Sequence, residues 1–281
     1  MKGVIDVKKV CVLGTVSFLF LMVVVFSSCS LIQVKRNTTQ EKKVVEYDPA
    51  IKKNIRGSLS IAYAWGEQLS PPRNYLRGLI NLKEAMQRWT NINTELQDHL
   101  RLSSPQLLEM PFVYVTTDNA FELTDTEKAN VRNYLLHGGF MVLDNPTPSM
   151  DRSQSEASLK KMMRDVLGAQ ARFEPIPNGH EIYHSYFDFD DGPPRGSEEM
   201  VETGIRSVDK DTGKINKAQI LPRTVNYLEG IWIDNRLVAV FSNKGYIVRW
   251  NELSGNDPQL KMGVNMVVFA LTQSGGIGTV E

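Results

Sequence analysis

Apolar positions change period several times along the chain. At 58–65, Leu59, Ile61, Tyr63 and Trp65 alternate with small or polar residues, the period of a half-buried strand. Leu76, Leu79, Ile80, Met86 and Trp89 then share one face of an amphipathic helix. A short run rich in β-formers at 112–117, bounded by Pro111 and Asp118-Asn119, predicts a buried strand. Thr124 and Glu127 have capping-box spacing and open a helix carrying Val131, Tyr134 and Leu135, with Gly138 at its end. A second buried strand is predicted at 140–143, closing at Asp144-Asn145-Pro146.

Ser153 and Glu156 repeat the capping-box spacing. Leu159, Met162, Met163, Val166 and Leu167 follow at i, i+3, i+4, i+7 and i+8, and Gly168 stops that helix. Residues 172–176 suggest a further strand. The rhythm breaks at 188–215, where only six of 28 residues are apolar, with eight acidic and four basic. This predicts a long exposed insertion, extending to about residue 227. A hairpin is expected around Asp234-Asn235, with the strand signal continuing at 246–250. Asp257-Pro258 has N-cap and N1 character and opens a last helix, apolar nearly all round at 264–271. Alternation of strands and helices with buried strands implies an α/β protein: a three-layer sandwich on a mainly parallel sheet, with an antiparallel hairpin at one edge.

The amino-terminal region is of another kind. Lys2, Lys8 and Lys9 precede 17 uncharged residues at 10–26, followed by Ser27 and Ser28, the order of a secretory signal. Phe26-Ser27-Ser28-Cys29 resembles a bacterial lipobox, in which Cys29 becomes the acylated first residue of the mature chain. An uncleaved signal anchor is the alternative, although 17 residues are short for a span. Either way the expected location is the bacterial envelope, membrane-anchored, with the domain on the periplasmic or outer side. The expected organisation is a signal peptide at 1–28, a tether at 29–57, an α/β domain at 58–273 and a tail at 274–281. Within the tether, 33–57 holds seven basic and three acidic residues, a net of +4.

Composition narrows the chemistry. The 281 residues carry 32 basic and 32 acidic side chains, against the basic surplus of a nucleic-acid binder. Both cysteines, Cys11 and Cys29, lie in the first 29 residues. The body therefore contains no disulfide framework, no Cys-rich metal site and no Cys nucleophile.

Five stretches in order carry a resemblance. They are Pro111-Phe112-Val113-Tyr114-Val115-Thr116, Tyr134-Leu135-Leu136-His137-Gly138-Gly139-Phe140, Gly179-His180-Glu181-Ile182-Tyr183-His184-Ser185-Tyr186, Leu228-Glu229-Gly230-Ile231-Trp232-Ile233-Asp234-Asn235-Arg236 and Gly263-Val264-Asn265. Together they resemble the domain-of-unknown-function 4159 family, over roughly 59–272. That resemblance implies a flavodoxin-like or class I glutamine amidotransferase-like superfold in a bacterial envelope protein, with no established activity. Two positions depart from the family pattern. Asn145 stands where a second aspartate is common, and Glu181 where proline is common.

Amidotransfer needs a Cys nucleophile, so the resemblance does not bring that activity. Ligands of open α/β sheets bind outside the strand carboxyl ends. Thr117, Asp118, Asp144 and Asn145, with His180 and Arg236, are therefore the ligand-binding candidates. The plainer role for Asp118 and Asp144 is capping of turns. His180-Glu181-Ile182-Tyr183-His184 spells H-E-x-x-H. This supports an alternative: a metal-dependent hydrolase with zinc on His180 and His184, Asp188 as a further ligand and Glu181 as catalytic base. It requires both imidazoles on one face of a continuous helix. Outside that alternative no cofactor is expected. The leading expectation is a membrane-tethered, non-catalytic domain that binds an envelope protein partner or a small ligand.

Overall fold

A computed structural model describes residues 54–148, 153–197 and 226–278, and the backbone of two short strands at 205–208 and 215–218. These residues belong to a single compact unit running from Lys43 to Glu281. The leader, Cys29 and most of the tether lie outside the described residues. Among the described residues no helix is long and apolar enough to cross a membrane.

The elements run in order β1 (Arg56–Trp65), α1 (Leu76–Trp89), β2 (Asn91–Arg101), β3 (Phe112–Thr116), α2 (Asp125–Leu136), β4 (Met141–Asp144), α3 (Gln154–Leu167) and β5 (Glu174–Pro175). They continue with β6 (Ile205–Val208), β7 (Ile215–Ala218), β8 (Glu229–Ile233), β9 (Arg236–Ser242), α4 (Tyr246–Trp250) and α5 (Asp257–Thr272). Seven strands form one sheet in the order β2-β1-β3-β4-β9-β8-β5. Neighbours from β2 through β9 are parallel, and β8 and β5 add to the sheet antiparallel. β6 and β7 make a separate antiparallel pair. The expected α/β class, mainly parallel sheet and antiparallel addition are all present.

Alternation along the strands sorts side chains onto two faces. Leu59, Ile61, Tyr63, Phe112, Tyr114 and Val142 pack under α1, α4 and α5. Ala62, Ala64, Val113, Val115, Met141 and Leu143 pack under α2 and α3. β1 is thus buried on both faces, not half-buried as its alternation predicts, because the small Ala62 and Ala64 also face helices.

The first and second parallel strands, β1 and β2, are joined through α1. The chain then passes over β1, and its next helix, α2, packs on the opposite face. This places a topological switch point between β1 and β3, the position at which open α/β sheets take their ligands.

Local sequence explains most helix ends. Thr124 and Glu127 complete a reciprocal capping box on α2, and the Ser153 hydroxyl accepts from Glu156 N at α3. α5 starts one residue earlier than expected, with Asn256 as N-cap. Asp234 and Asn235 take φ of 50° and 64° and turn the β8–β9 hairpin.

Three expectations need correction. Residues 246–250 form the short helix α4 rather than a strand. Gly245 at φ 61° breaks the extended chain, and the Tyr246 and Trp250 rings stack one turn apart, 6.1 Å between centroids. β2 has no apolar run and was not expected; it lies at the sheet edge, where its charges discourage further pairing. The insertion is not exposed throughout. Its first part docks, with Ser197 N donating to Lys244 O and the Tyr246 hydroxyl donating to Pro194 O.

Candidate functional site

Strand register builds the site. Tyr63 of β1 pairs with Tyr114 of β3, so two phenol rings stand side by side on one face of the sheet. Tyr114 pairs with Val142 of β4, and Asp144 follows two residues on, on the same face and one pleat nearer the carboxyl end. Asp144 pairs in turn with Ser242 of β9. The switch point thus carries two tyrosines and an aspartate on adjoining strands.

Asp144 is completely buried. Its Oδ2 accepts from Ile247 N at 3.0 Å, and its Oδ1 has no partner. Burial pushes the carboxyl up to about 6, offset in part by Ile247 N–H and then by Ser242, Tyr114 and Tyr246. The hydroxyls of Tyr63 and Tyr114, buried on neighbouring strands, also lack hydrogen-bond partners. Tyr114 therefore lies near enough to stabilise the Asp144 carboxylate without meeting hydrogen-bond geometry. Burial is the main cause of the raised pKa of both phenols, and the Asp144 charge adds to it. Buried polar atoms without partners are uncommon, and three of those among the described residues come from the adjacent strands β1, β3 and β4.

Tyr75 and Asp118 stand nearer the surface. The Tyr75 hydroxyl donates to Asp118 Oδ1 at 3.3 Å. Burial and then the Asp118 charge push Tyr75 up to about 12, while partial desolvation raises Asp118. Both acids also raise Tyr63, which joins the outer pair to the inner group. The Trp250 ring adds a wall 5.2 Å from Tyr114.

The expected site residues divide. Asp118 and Asp144 are at the switch point. Thr117 and Asn145 lie beside them but hold turns: Thr117 Oγ1 accepts from Asn119 N, and Asn145 Oδ1 accepts from Thr147 N and the Ser153 hydroxyl. His180 and Arg236 do not lie at this switch point. Arg236 opens β9, and its guanidinium donates to the carbonyls of Gly139 and Leu135 at the amino end of β4. His180 packs on Trp232 and on Phe269, which in turn meets Phe140 at that same end.

The H-E-x-x-H run does not lie on a helix. Glu181–Tyr183 make one 3-10 turn, with His180 as N-cap and His184 as C-cap. His180 Nδ1 accepts from Ile182 N, while His184 faces the Asn178 carbonyl at 2.9 Å and Asp188 at 3.3 Å. Among the described residues no three His, Cys, Asp or Glu side chains are arranged to hold a metal ion. The helical geometry that zinc on His180, His184 and Asp188 would need, with Glu181 as base, is therefore missing.

A family model for the domain of unknown function DUF4159 matches residues 61–271. The chain belongs to this family. The match spans every element that builds the switch-point group, from Tyr63 to Ile247. No curated protein matches the chain.

Open clefts of the DUF4159 domain lie elsewhere. One of about 450 Å³ between α1 and the α4–α5 loop is lined by Arg77, Glu84, Arg88 and Glu252 among others. Arg77, Glu84 and Arg88 are exposed there and Glu252 pairs with Arg249, so none of these charges is a buried group lacking a partner comparable to Asp144 Oδ1. Sequence reasoning missed Tyr63, Tyr75 and Tyr114. The available signal for Tyr63 and Tyr114 was the use of Tyr rather than Phe at the apolar positions of two strands; Tyr75, in a turn before α1, had none.

Proposed function

We propose that this DUF4159 protein is an envelope-anchored binding protein that holds a small polar ligand at the carboxyl ends of β1, β3 and β4. The observation that carries the reading is the buried group of Tyr63 and Tyr114 hydroxyls with Asp144 Oδ1, none of which has a partner. The parallel strand order β2-β1-β3-β4-β9 supports the flavodoxin-like, amidotransferase-like superfold, whose ligands lie at this place. The absence of any cysteine after Cys29 supports binding over amidotransfer. A small ligand is favoured over a flat protein surface, because among the described residues the exposed large apolar side chains, Leu108, Leu136, Tyr227 and Leu253, are far apart in the chain. The leader and its lipobox-like end support attachment through Cys29, or through an uncleaved anchor.

Native mass spectrometry of the full chain, purified from its own envelope, tests the site. The expected result is a retained small molecule that is lost in the Asp144→Asn, Tyr114→Phe double variant and kept in His180→Ala. Equal retention in the double variant, or no retained mass in the wild type, contradicts the proposal.

A further inference from the structure

We propose that the group recognised at this site is a protonated primary amine, held by Asp144 Oδ1 with the hydroxyl oxygens of Tyr63 and Tyr114 as its other acceptors. This rests on the reading of the strand ends as a ligand site and adds the chemistry of the ligand.

Charge is the first argument. The ionisable acids of the site are Asp144 inside and Asp118 at its outer side, and no Lys, Arg or His among the described residues contributes to the shift of either. A phosphate or carboxylate ligand would set like charges together in a poorly solvated place. A neutral ligand would leave the buried carboxylate without a counter-charge, which is costly. A cation supplies that charge where it is missing.

Donor count is the second. An alkylammonium has three N–H donors and no acceptor. The orphaned atoms are one carboxylate oxygen and two hydroxyl oxygens. Each hydroxyl can turn its own proton away and offer its lone pairs. A single sugar hydroxyl has one donor and leaves two of these atoms unmet. A quaternary ammonium has none and leaves all three.

The walls are the third. Tyr63 and Tyr114 stand on adjacent strands, and the Trp250 ring lies 5.2 Å from Tyr114 and 6.1 Å from Tyr246. Aromatic faces attract a desolvated cation. Asp118, exposed and bonded to Tyr75, adds negative charge at the outer side.

Calorimetric titration of the full-length protein with methylammonium chloride tests this, with tetramethylammonium chloride and glycerol as matched controls. Saturable binding is expected for methylammonium alone. Its affinity should fall about tenfold per pH unit once Asp144 becomes protonated. The groups that act on Asp144 or feel its charge are Tyr63 of β1, Tyr75 ahead of α1, Tyr114 of β3, Ser242 of β9 and the 246–247 backbone of α4, and burial raises the three phenols away from neutral pH. Asp144→Asn should weaken binding about tenfold or more, as expected for loss of a charged acceptor, while His180→Ala leaves it unchanged. Circular dichroism of each variant checks folding. If glycerol binds saturably, depends on Asp144 and methylammonium does not bind, the amine inference is overturned and the site stands. If none of the three probes binds, the amine inference is also overturned. The native-mass comparison then decides separately whether the site falls with it.

Discussion

At the scale of single residues, Asp144 controls the account. Its folded pKa of about 6 lies above the ordinary value of 3.8. A carboxyl raised in this way favours the folded state fully below its unfolded pKa, and that contribution is lost as pH rises through the folded value. A shift of about two units corresponds to about 3 kcal/mol. Urea unfolding of the wild type and of Asp144→Asn should therefore diverge. The variant should gain about 3 kcal/mol on the wild type between roughly pH 4 and pH 7. A constant difference across that range would show that the carboxyl is not held as described. Tyr114→Phe makes a second test. Tyr114 favours the ionised Asp144, so deleting its hydroxyl should cost about 1 kcal/mol at pH 7 and less below about pH 4, where Asp144 is protonated. An effect of the same size at both pH values would mean that the hydroxyl does not act on the carboxylate and is bonded elsewhere, for instance to a buried water. The acids were legible in the sequence because Asp at a strand end is a recognisable position. The tyrosines were not. A buried Tyr reads as core until the β1–β3 register sets two of them side by side.

At the scale of elements, caps and turns were the most legible features. Their chemistry is local, and Thr124, Ser153 and Asp234-Asn235 act within a few residues of themselves. The α2 cap also reaches the site region, since Glu127 Oε1 accepts from Glu67 N just after β1. Thr124→Ala should cost about 1 kcal/mol in unfolding free energy, read from the denaturant midpoint at constant slope. What depended on tertiary placement was not legible. The 246–250 segment is apolar enough for a strand, but Gly245 turns it into a helix whose first turn bonds Asp144. β2 is polar and became a strand only by pairing with β1. Arg236 is among the strand-end candidates because hairpin residues give no sign of strand direction. Parallel pairing of β4 with β9 instead places Arg236 at the amino end, where it closes the α2 terminus.

At the scale of the whole molecule, the fold class was legible because buried strands alternate with amphipathic helices. The order β2-β1-β3-β4-β9, which creates the switch point, was not. The two cysteines organise the proposed biology: Cys29 as the attachment point, and a body whose chemistry must proceed without a thiol. Cys29→Ala should abolish lipid incorporation and leave the precursor mass unprocessed. Membrane association with unchanged mass in both wild type and variant would identify a signal anchor instead.

The central claim is that the strand ends around Tyr63, Tyr114 and Asp144 hold a ligand. The most direct measurement is a high-resolution crystal structure of protein purified from its native envelope, without exchange into other buffers. Density is expected for a ligand group within about 3.2 Å of Asp144 Oδ1 and both tyrosine hydroxyls, continuing outward past Tyr75 and Asp118. A single isolated water bonded to those three atoms, with closed packing beyond it, would contradict it.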